Sequence, residues 1–235
     1  MNIQFILRKY YFQLNALIVF LLFIVSTTST ASTAKVNSDL ELLYKTVLGD
    51  FGQPGADSVL RWQKMLEDLS VLPNLEKVER INAFFTQTLD YEMDKSVYGK
   101  NDYWASLGET LAKSKGDCED FAIAKYVSLR LAGISDSNLR LMYVKTKTGH
   151  SKDSIFESHV VLAYYVEQNV EPYILDSLIS EVKSASQRTD LKLIYSFNKE
   201  GLWLGEQQKY YSNSQERLSS WNHVLAKIEQ QGISL

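Results

Sequence analysis

The stretch Lys115-Gly116-Asp117-Cys118-Glu119-Asp120-Phe121-Ala122-Ile123-Ala124-Lys125-Tyr126 decides the fold. It sets a glycine and three acids ahead of a mainly apolar run, and it puts the only cysteine of the chain at the first turn of the helix that this pattern predicts. That helix runs from Cys118 to Ala132 and stops at Gly133. Only Lys125, Ser128 and Arg130 interrupt its apolar circumference, so it is expected to be central and buried. Backbone N–H groups at a helix N-terminus are unpaired and the dipole there favours negative charge, which lowers a thiol pKa. The same N–H groups can polarise a substrate carbonyl. A buried helix with a cysteine at its exposed tip is a rigid mount for a nucleophile.

Upstream of this helix, apolar periodicity predicts helices over Ser38 to Leu48, Asp57 to Leu72 and Asn74 to Leu89, with a weaker one over residues 102–112. Asp57 and Asn74 are candidate N-caps, and the cluster Gly52-Gln53-Pro54-Gly55 separates the first two helices. Downstream, Leu139 to Thr146, Glu157 to Val166, Val170 to Asp176 and Lys192 to Phe197 are short and rich in Tyr, Val, Ile and Leu, the pattern of mostly antiparallel strands. A last helix is expected over Gln215 to Gln230. Helices first and strands later, without regular alternation, define an α+β domain rather than a doubly wound one.

A thiol nucleophile needs a base, and there are three histidines. His150 sits in a Gly/Ser/Lys loop and His223 in the terminal helix, whereas His159 opens the apolar strand Val160-Val161-Leu162-Ala163-Tyr164-Tyr165. If the strands on either side of Glu167-Gln168 pair antiparallel, Asp176 falls opposite His159, with the two Cβ atoms about 5 Å apart. A three-residue turn ending at Asn169 would shift this register by one, and Pro172 points to an edge position. Cys118, His159 and Asp176 then stand in the roles of nucleophile, base and orienting carboxylate.

The bulk properties set the context. Hydrophobic residues make up 45% of the 235 and charged residues 23%, enough for a sizeable core. A net charge of -3 argues against nucleic acid as a partner. Met1 to Ala34 carries Arg8 and Lys9, an apolar run from Ala16 to Val25, and small residues ending in Ser29-Thr30-Ala31 and Ser32-Thr33-Ala34, the pattern of a secretory signal. Its apolar run is shorter than the roughly 20 residues of a membrane-spanning helix. The flanking Tyr10, Tyr11 and Phe12 allow the alternative of an uncleaved tether. Residues 35–235 then form the domain. Although export permits disulfides, a lone Cys118 makes no internal bridge, so the core alone holds the fold.

These residues resemble the bacterial transglutaminase-like cysteine proteinases. The matching pieces are Gly116-Asp117-Cys118-Glu119-Asp120 with Ala122-Ile123-Ala124-Lys125-Tyr126, Ser158-His159-Val160-Val161-Leu162, Tyr173-Ile174-Leu175-Asp176-Ser177-Leu178, and Tyr195-Ser196-Phe197-Asn198 followed by Gly201-Leu202-Trp203-Leu204. The resemblance implies a papain-like, transglutaminase-like core with the triad Cys118, His159 and Asp176. It further implies a periplasmic protease that cuts the N-terminal region of a large surface adhesin at a di-alanine site, so that the adhesin leaves the cell and the biofilm disperses. The inhibitory partner implied is an inner-membrane receptor for cyclic di-GMP. One departure is that the Trp usual in the family is followed here not by a Thr-Pro pair but by other residues, in the run Trp104-Ala105-Ser106-Leu107-Gly108-Glu109, which bears on the loop beside the site.

Asp117, Glu119 and Asp120 bracket the cysteine. As acids in a helix N-terminal turn they are favourably placed. Three carboxylates beside a thiolate nevertheless raise its pKa. A hard cation resolves the conflict, and an oxygen-only cluster suits Ca²⁺, although the spacing is not that of an EF-hand. The resemblance also implies calcium, with Asp117 and Glu119 as the best-matched ligands, followed by Asp120; Asp102 has no place fixed by the sequence. Two other classes share the same features: an exported amidase or transglutaminase acting on peptidoglycan, and a non-catalytic calcium-binding module.

Overall fold

Leu43, Val47, Val59 and Trp62, spaced at multiples of about one helical turn, are all fully buried on one side of a long helical segment, α1, over residues 40–68. The computed structural model describes residues 40–148, 155–167, 170–205, 209–211 and 218–235. The expected leader, residues 1–34, and His150 therefore lie outside the described residues. The two helices expected before residue 72 are joined end to end. Gly52 takes φ 73°, a left-handed value open to glycine, and helical turns resume immediately after it, with Pro54 in the new first turn. Asp57 is thus inside the helical run and does not cap it; its carboxylate accepts from Gln53 Nε2 at 2.7 Å. Helix α2 is Asn74–Thr88, and its N-cap position is Pro73 rather than Asn74.

A short helix α3, Asp94–Val97, follows, and then α4, Leu107–Lys113. α4 starts later than residue 102 because Ser106 and Glu109 close a reciprocal capping box there. α5 is Cys118–Leu131, with Gly133 beyond it at φ 90°, and α6 is Ser219–Gln230. α5 is buried from Glu119 to Leu129, as its composition predicts. Two of its three polar interruptions are fully buried: Ser128 Oγ accepts from Trp62 Nε1 at 2.8 Å and donates to the Ala124 carbonyl at 2.7 Å, and Lys125 reaches the strand layer.

The strands are β1 (Asp90–Tyr91), β2 (Lys115–Gly116), β3 (Leu139–Thr148), β4 (Ile155–Tyr164), β5 (Tyr173–Leu175), β6 (Lys183–Ser184), β7 (Leu191–Phe197), β8 (Leu202–Leu204) and β9 (Lys209–Tyr211). β3 to β9 form one sheet in the order β6-β5-β4-β3-β7-β8-β9, antiparallel throughout. β1 and β2 make a separate parallel pair that ties Tyr91 to Gly116, just ahead of Cys118. Helices therefore precede an antiparallel sheet, as expected. One sheet face supplies Leu139, Leu141, Val160, Leu162 and Leu175 to the core shared with α5, while Met142, Val144, Val161, Ala163 and Ile174 make a smaller cluster on the other face.

The β4–β5 register corrects the hairpin geometry. Leu162 pairs with Leu175 and Tyr164 with Tyr173, two residues away from the alignment predicted by a tight turn at Glu167-Gln168. The connection is longer, spanning residues 165–172. A two-residue slip preserves the alternation of faces, so Asp176 stays on the side of His159 although no longer directly opposite it. Pro172 precedes β5 and does not mark an edge strand; β6 takes the edge, and the Pro172 carbonyl accepts from the Ala185 N–H at 2.9 Å.

Candidate active site

α5 carries Cys118 at its first residue, and β4 carries His159 in its middle rather than at its opening. Both line one cleft of about 600 Å³, walled by Tyr91, Met93, Trp104, Tyr143, Tyr195 and Trp221. Tyr143 and Tyr195 are cross-strand partners on β3 and β7, stacked with ring centroids 5.0 Å apart. His159 Nε2 lies 2.7 Å from Asp176 Oδ1, and both side chains are almost wholly buried. With Nε2 engaged by the carboxylate, Nδ1 is the ring nitrogen left for proton exchange. His223 lies on α6 and is not among the cleft-lining residues.

Asp176 is held more tightly than the sequence suggests. Its Oδ1 also accepts from the Leu178 N–H at 3.0 Å, and its Oδ2 accepts from Arg188 Nη2 at 2.7 Å. Its backbone carbonyl accepts from Lys125 Nζ at 2.8 Å. Burial opposes ionisation of Asp176, but hydrogen bonds from His159, Leu178 and Arg188 hold its carboxyl well below the usual carboxylate range. Burial pushes the Lys125 ammonium down to about 7, with the charge of Asp176 opposing the shift. Sequence reasoning missed both cations. Lys125 left one trace, as a break in an otherwise apolar helix; Arg188 left none.

The cysteine sits among acids. Cys118 Sγ donates to Glu119 Oε2 at 3.0 Å. Burial first, then the carboxylates of Glu119 and Asp117, push its thiol far above the ordinary value and outweigh the helix N-terminus expected to lower it. Asp117 is the N-cap residue, yet its side chain makes no capping hydrogen bond. It is turned instead into a cluster in which ligand atoms of Asp94, Asp117 and Asp120, of Asp94, Asp102 and Glu119, and of Asp117, Cys118 and Glu119 lie within 4.8 Å of one another. Asp102, which the sequence could not place, thus joins the three predicted acids, and so does Asp94, which was missed. Asp94 Oδ1, Asp117 Oδ1 and Asp120 Oδ2 are buried without a hydrogen-bond partner. Burial, reinforced by mutual repulsion, pushes Asp94 up to about 6, Asp117 up to about 7 and Asp120 up to about 9. Unpartnered, buried oxygens from several carboxylates are what a hard, oxygen-seeking cation requires, so these residues fit Ca²⁺.

Backbone contacts fix the cluster. Asp120 Oδ1 accepts from the Ala105 N–H at 2.8 Å, and Asp94 Oδ2 accepts from the Tyr103 N–H at 2.5 Å. The loop bearing Trp104 lacks the family's Thr-Pro pair, but the Ser106 capping box shapes it, and Lys227 Nζ anchors it through the Trp104 carbonyl and Glu109, each at 2.7 Å. Gly116 serves the site by close approach. It is not at a positive φ, and a Cβ there would fall 2.7 Å from both Cβ and Oδ2 of Asp120. Gly116→Ala is accordingly expected to displace Asp120, costing about 1–3 kcal/mol of stability as an overpacked site does and weakening calcium binding. A thermal melt and a calcium titration of the variant check this; an unchanged titration would mean that Asp120 takes no part in holding the ion.

A cysteine at the tip of a buried helix thus shares one cleft with a histidine that is hydrogen-bonded to an aspartate, the set of groups that thiol hydrolysis uses. Residues 62–208 match the family described as bacterial transglutaminase-like cysteine proteinase. Legionella pneumophila LapG is 33% identical, with a TM-score of 0.68, over 80% of this chain and 97% of that one. The calcium-bound form of LapG is 34% identical over 80% of this chain and 98% of that one, with a TM-score of 0.68, and the EGTA-treated form is 33% identical over 80% and 97%, with a TM-score of 0.69. None of the curated proteins compared matches the chain. The protein belongs to the bacterial transglutaminase-like cysteine proteinase family, with the transglutaminase-like fold of LapG.

Proposed function

We propose that this protein is an exported, calcium-dependent cysteine endopeptidase with Cys118 as nucleophile, His159 as general base and Asp176 as orienting carboxylate. The observation that carries the reading is the 2.7 Å contact between His159 Nε2 and Asp176 beside the cleft that holds Cys118. His159 Nδ1 takes the thiol proton, and sulfur attacks the scissile carbonyl at the tip of α5, where backbone N–H groups face the developing oxyanion. Collapse of the tetrahedral adduct expels the amine, which takes the proton back from His159. Water, deprotonated by the same ring, then hydrolyses the thioester. Asp117, Glu119 and Asp120, joined by Asp94 and Asp102, are the residues that would hold Ca²⁺. Bound there, the ion supplies positive charge that offsets the carboxylates next to the thiol and favours thiolate.

The substrate in this reading is the N-terminal region of a large surface adhesin, cut at a di-alanine site to release it and disperse a biofilm. The reading places the protein in the periplasm, either after cleavage near Ser32 or Lys35 or tethered by an intact leader, and under the control of an inner-membrane receptor for cyclic di-GMP. Its support is the family resemblance together with the secretory pattern of residues 1–34. A comparison of cut sites in exported proteins from cells carrying the wild-type chain or Cys118→Ala tests it. Cuts confined to one large surface protein, present only with the thiol, are the expected result, and identical cut patterns in the two strains would overturn it.

A further inference from the structure

Two basic side chains from different elements converge on Asp176. Lys125 comes from the helix layer and grips the backbone carbonyl at 2.8 Å, while Arg188, just after the short 3-10 turn Ala185–Gln187, grips the side chain at 2.7 Å. Both are buried: Lys125 fully, and Arg188 to 5% exposure. Arg188 is itself fixed by Asp190, whose two oxygens accept from Nε at 3.0 Å and from Nη2 at 2.8 Å. Asp176 could turn about its side-chain bonds if only His159 and the Leu178 N–H held it. With Oδ2 locked by a planar guanidinium, Oδ1 is left at the one place where it meets His159 Nε2. Burying an ion pair is costly and is weak evidence of a purely stabilising role, so the geometry that Arg188 imposes on Asp176 is what sets it apart.

We propose that Arg188 is a positioning residue, which with the help of Lys125 locks Asp176 so that its Oδ1 orients the His159 ring toward Cys118. The proposal rests on the orienting role assigned to Asp176 above. Arg188 touches neither the thiol nor the substrate cleft among the described residues, so its effect must pass through Asp176.

The test uses the full chain with saturating calcium and a peptide substrate, comparing Arg188→Met, Arg188→Lys, Asp190→Asn and Asp176→Ala. Arg188→Met should lower kcat by about ten- to a hundredfold, as misplacement of an orienting group does, with KM within about twofold. The downfield proton resonance of the His159–Asp176 hydrogen bond should broaden or vanish in the same variant. Arg188→Lys, which keeps a charge but loses the fork, should recover part of kcat. Asp190→Asn leaves Asp176 untouched and loosens only Arg188, so it keeps the test open if Arg188→Met fails to fold; it should show a smaller kcat loss and a broadened resonance. Wild-type kcat and an unaltered resonance in either Arg188→Met or Asp190→Asn, alongside an impaired Asp176→Ala, would overturn the proposal. Full activity in Asp176→Ala would instead overturn the orienting role of Asp176 itself.

Discussion

Cys118→Ala is expected to reduce peptide cleavage by on the order of 10⁶-fold, the loss seen when a nucleophile is removed from a unit whose members act together, while the melting temperature stays close to that of the wild type. The asymmetry follows from position. The thiol is the first side chain of α5 and borders the cleft, so its loss removes one hydrogen bond to Glu119 and little packed volume. His159→Ala should be equally inactive but less stable, because His159 is 3% exposed and its removal leaves a void beside a buried carboxylate. Asp176→Ala should retain a trace. Cleavage assays paired with thermal melts separate the two effects, and a fully active Cys118 variant would sink the mechanism.

Calcium removal should have the next largest effect. Asp94, Asp117, Glu119 and Asp120 are buried, three of their oxygens have no hydrogen-bond partner, and Glu119 receives the thiol proton's hydrogen bond. Without a cation the carboxylates repel one another and disfavour thiolate. A chelator should therefore stop cleavage, added Ca²⁺ should restore it, and Mg²⁺ should substitute poorly because it demands a tighter octahedral shell. Binding to the folded state alone adds about 2.7 kcal/mol at a concentration a hundred times Kd, so the melting temperature should rise with calcium even in Cys118→Ala, which has no activity to lose. Asp117→Ala and Glu119→Ala should abolish that rise. Undiminished cleavage by metal-stripped protein in excess chelator would return these acids to ordinary helix-tip residues.

The parts of this architecture that local pattern governs were legible. α5 could be bounded from an acid-rich turn, an apolar run and Gly133, and β3, β4 and β7 from their clusters of branched and aromatic residues. The pairing of His159 with Asp176 could be read because one lies on β4 and the other directly follows β5, its hairpin partner, yet the register differs by two residues from that of a tight turn at Glu167-Gln168. Contacts made by residues far apart in sequence left little mark. Asp94 belongs to a four-residue helix too short to show periodicity, and Arg188 follows a single turn of 3-10 helix. β8 and β9 have three residues each, too few for alternation to register. The thiol's environment was legible in part: adjoining carboxylates raise its pKa as the acid-rich turn predicts, but the burial that raises it most left no mark at a position read as an exposed helix tip.

Cys118, the single sulfhydryl in the 235 residues, borders an open cleft. Any disulfide these residues form must therefore join them to a second molecule, and it must form at the proposed nucleophile. A mixed disulfide with a small thiol would cap the site and silence the enzyme without altering its fold, and thiol–disulfide exchange would lift the block. For the same reason a thiol reagent that labels the folded protein counts competent sites one for one, with no background from structural cysteines among these residues. The lack of cross-links that leaves the core to hold the fold alone thus makes the proposed nucleophile the one thiol in these residues through which disulfide chemistry in the surroundings can act.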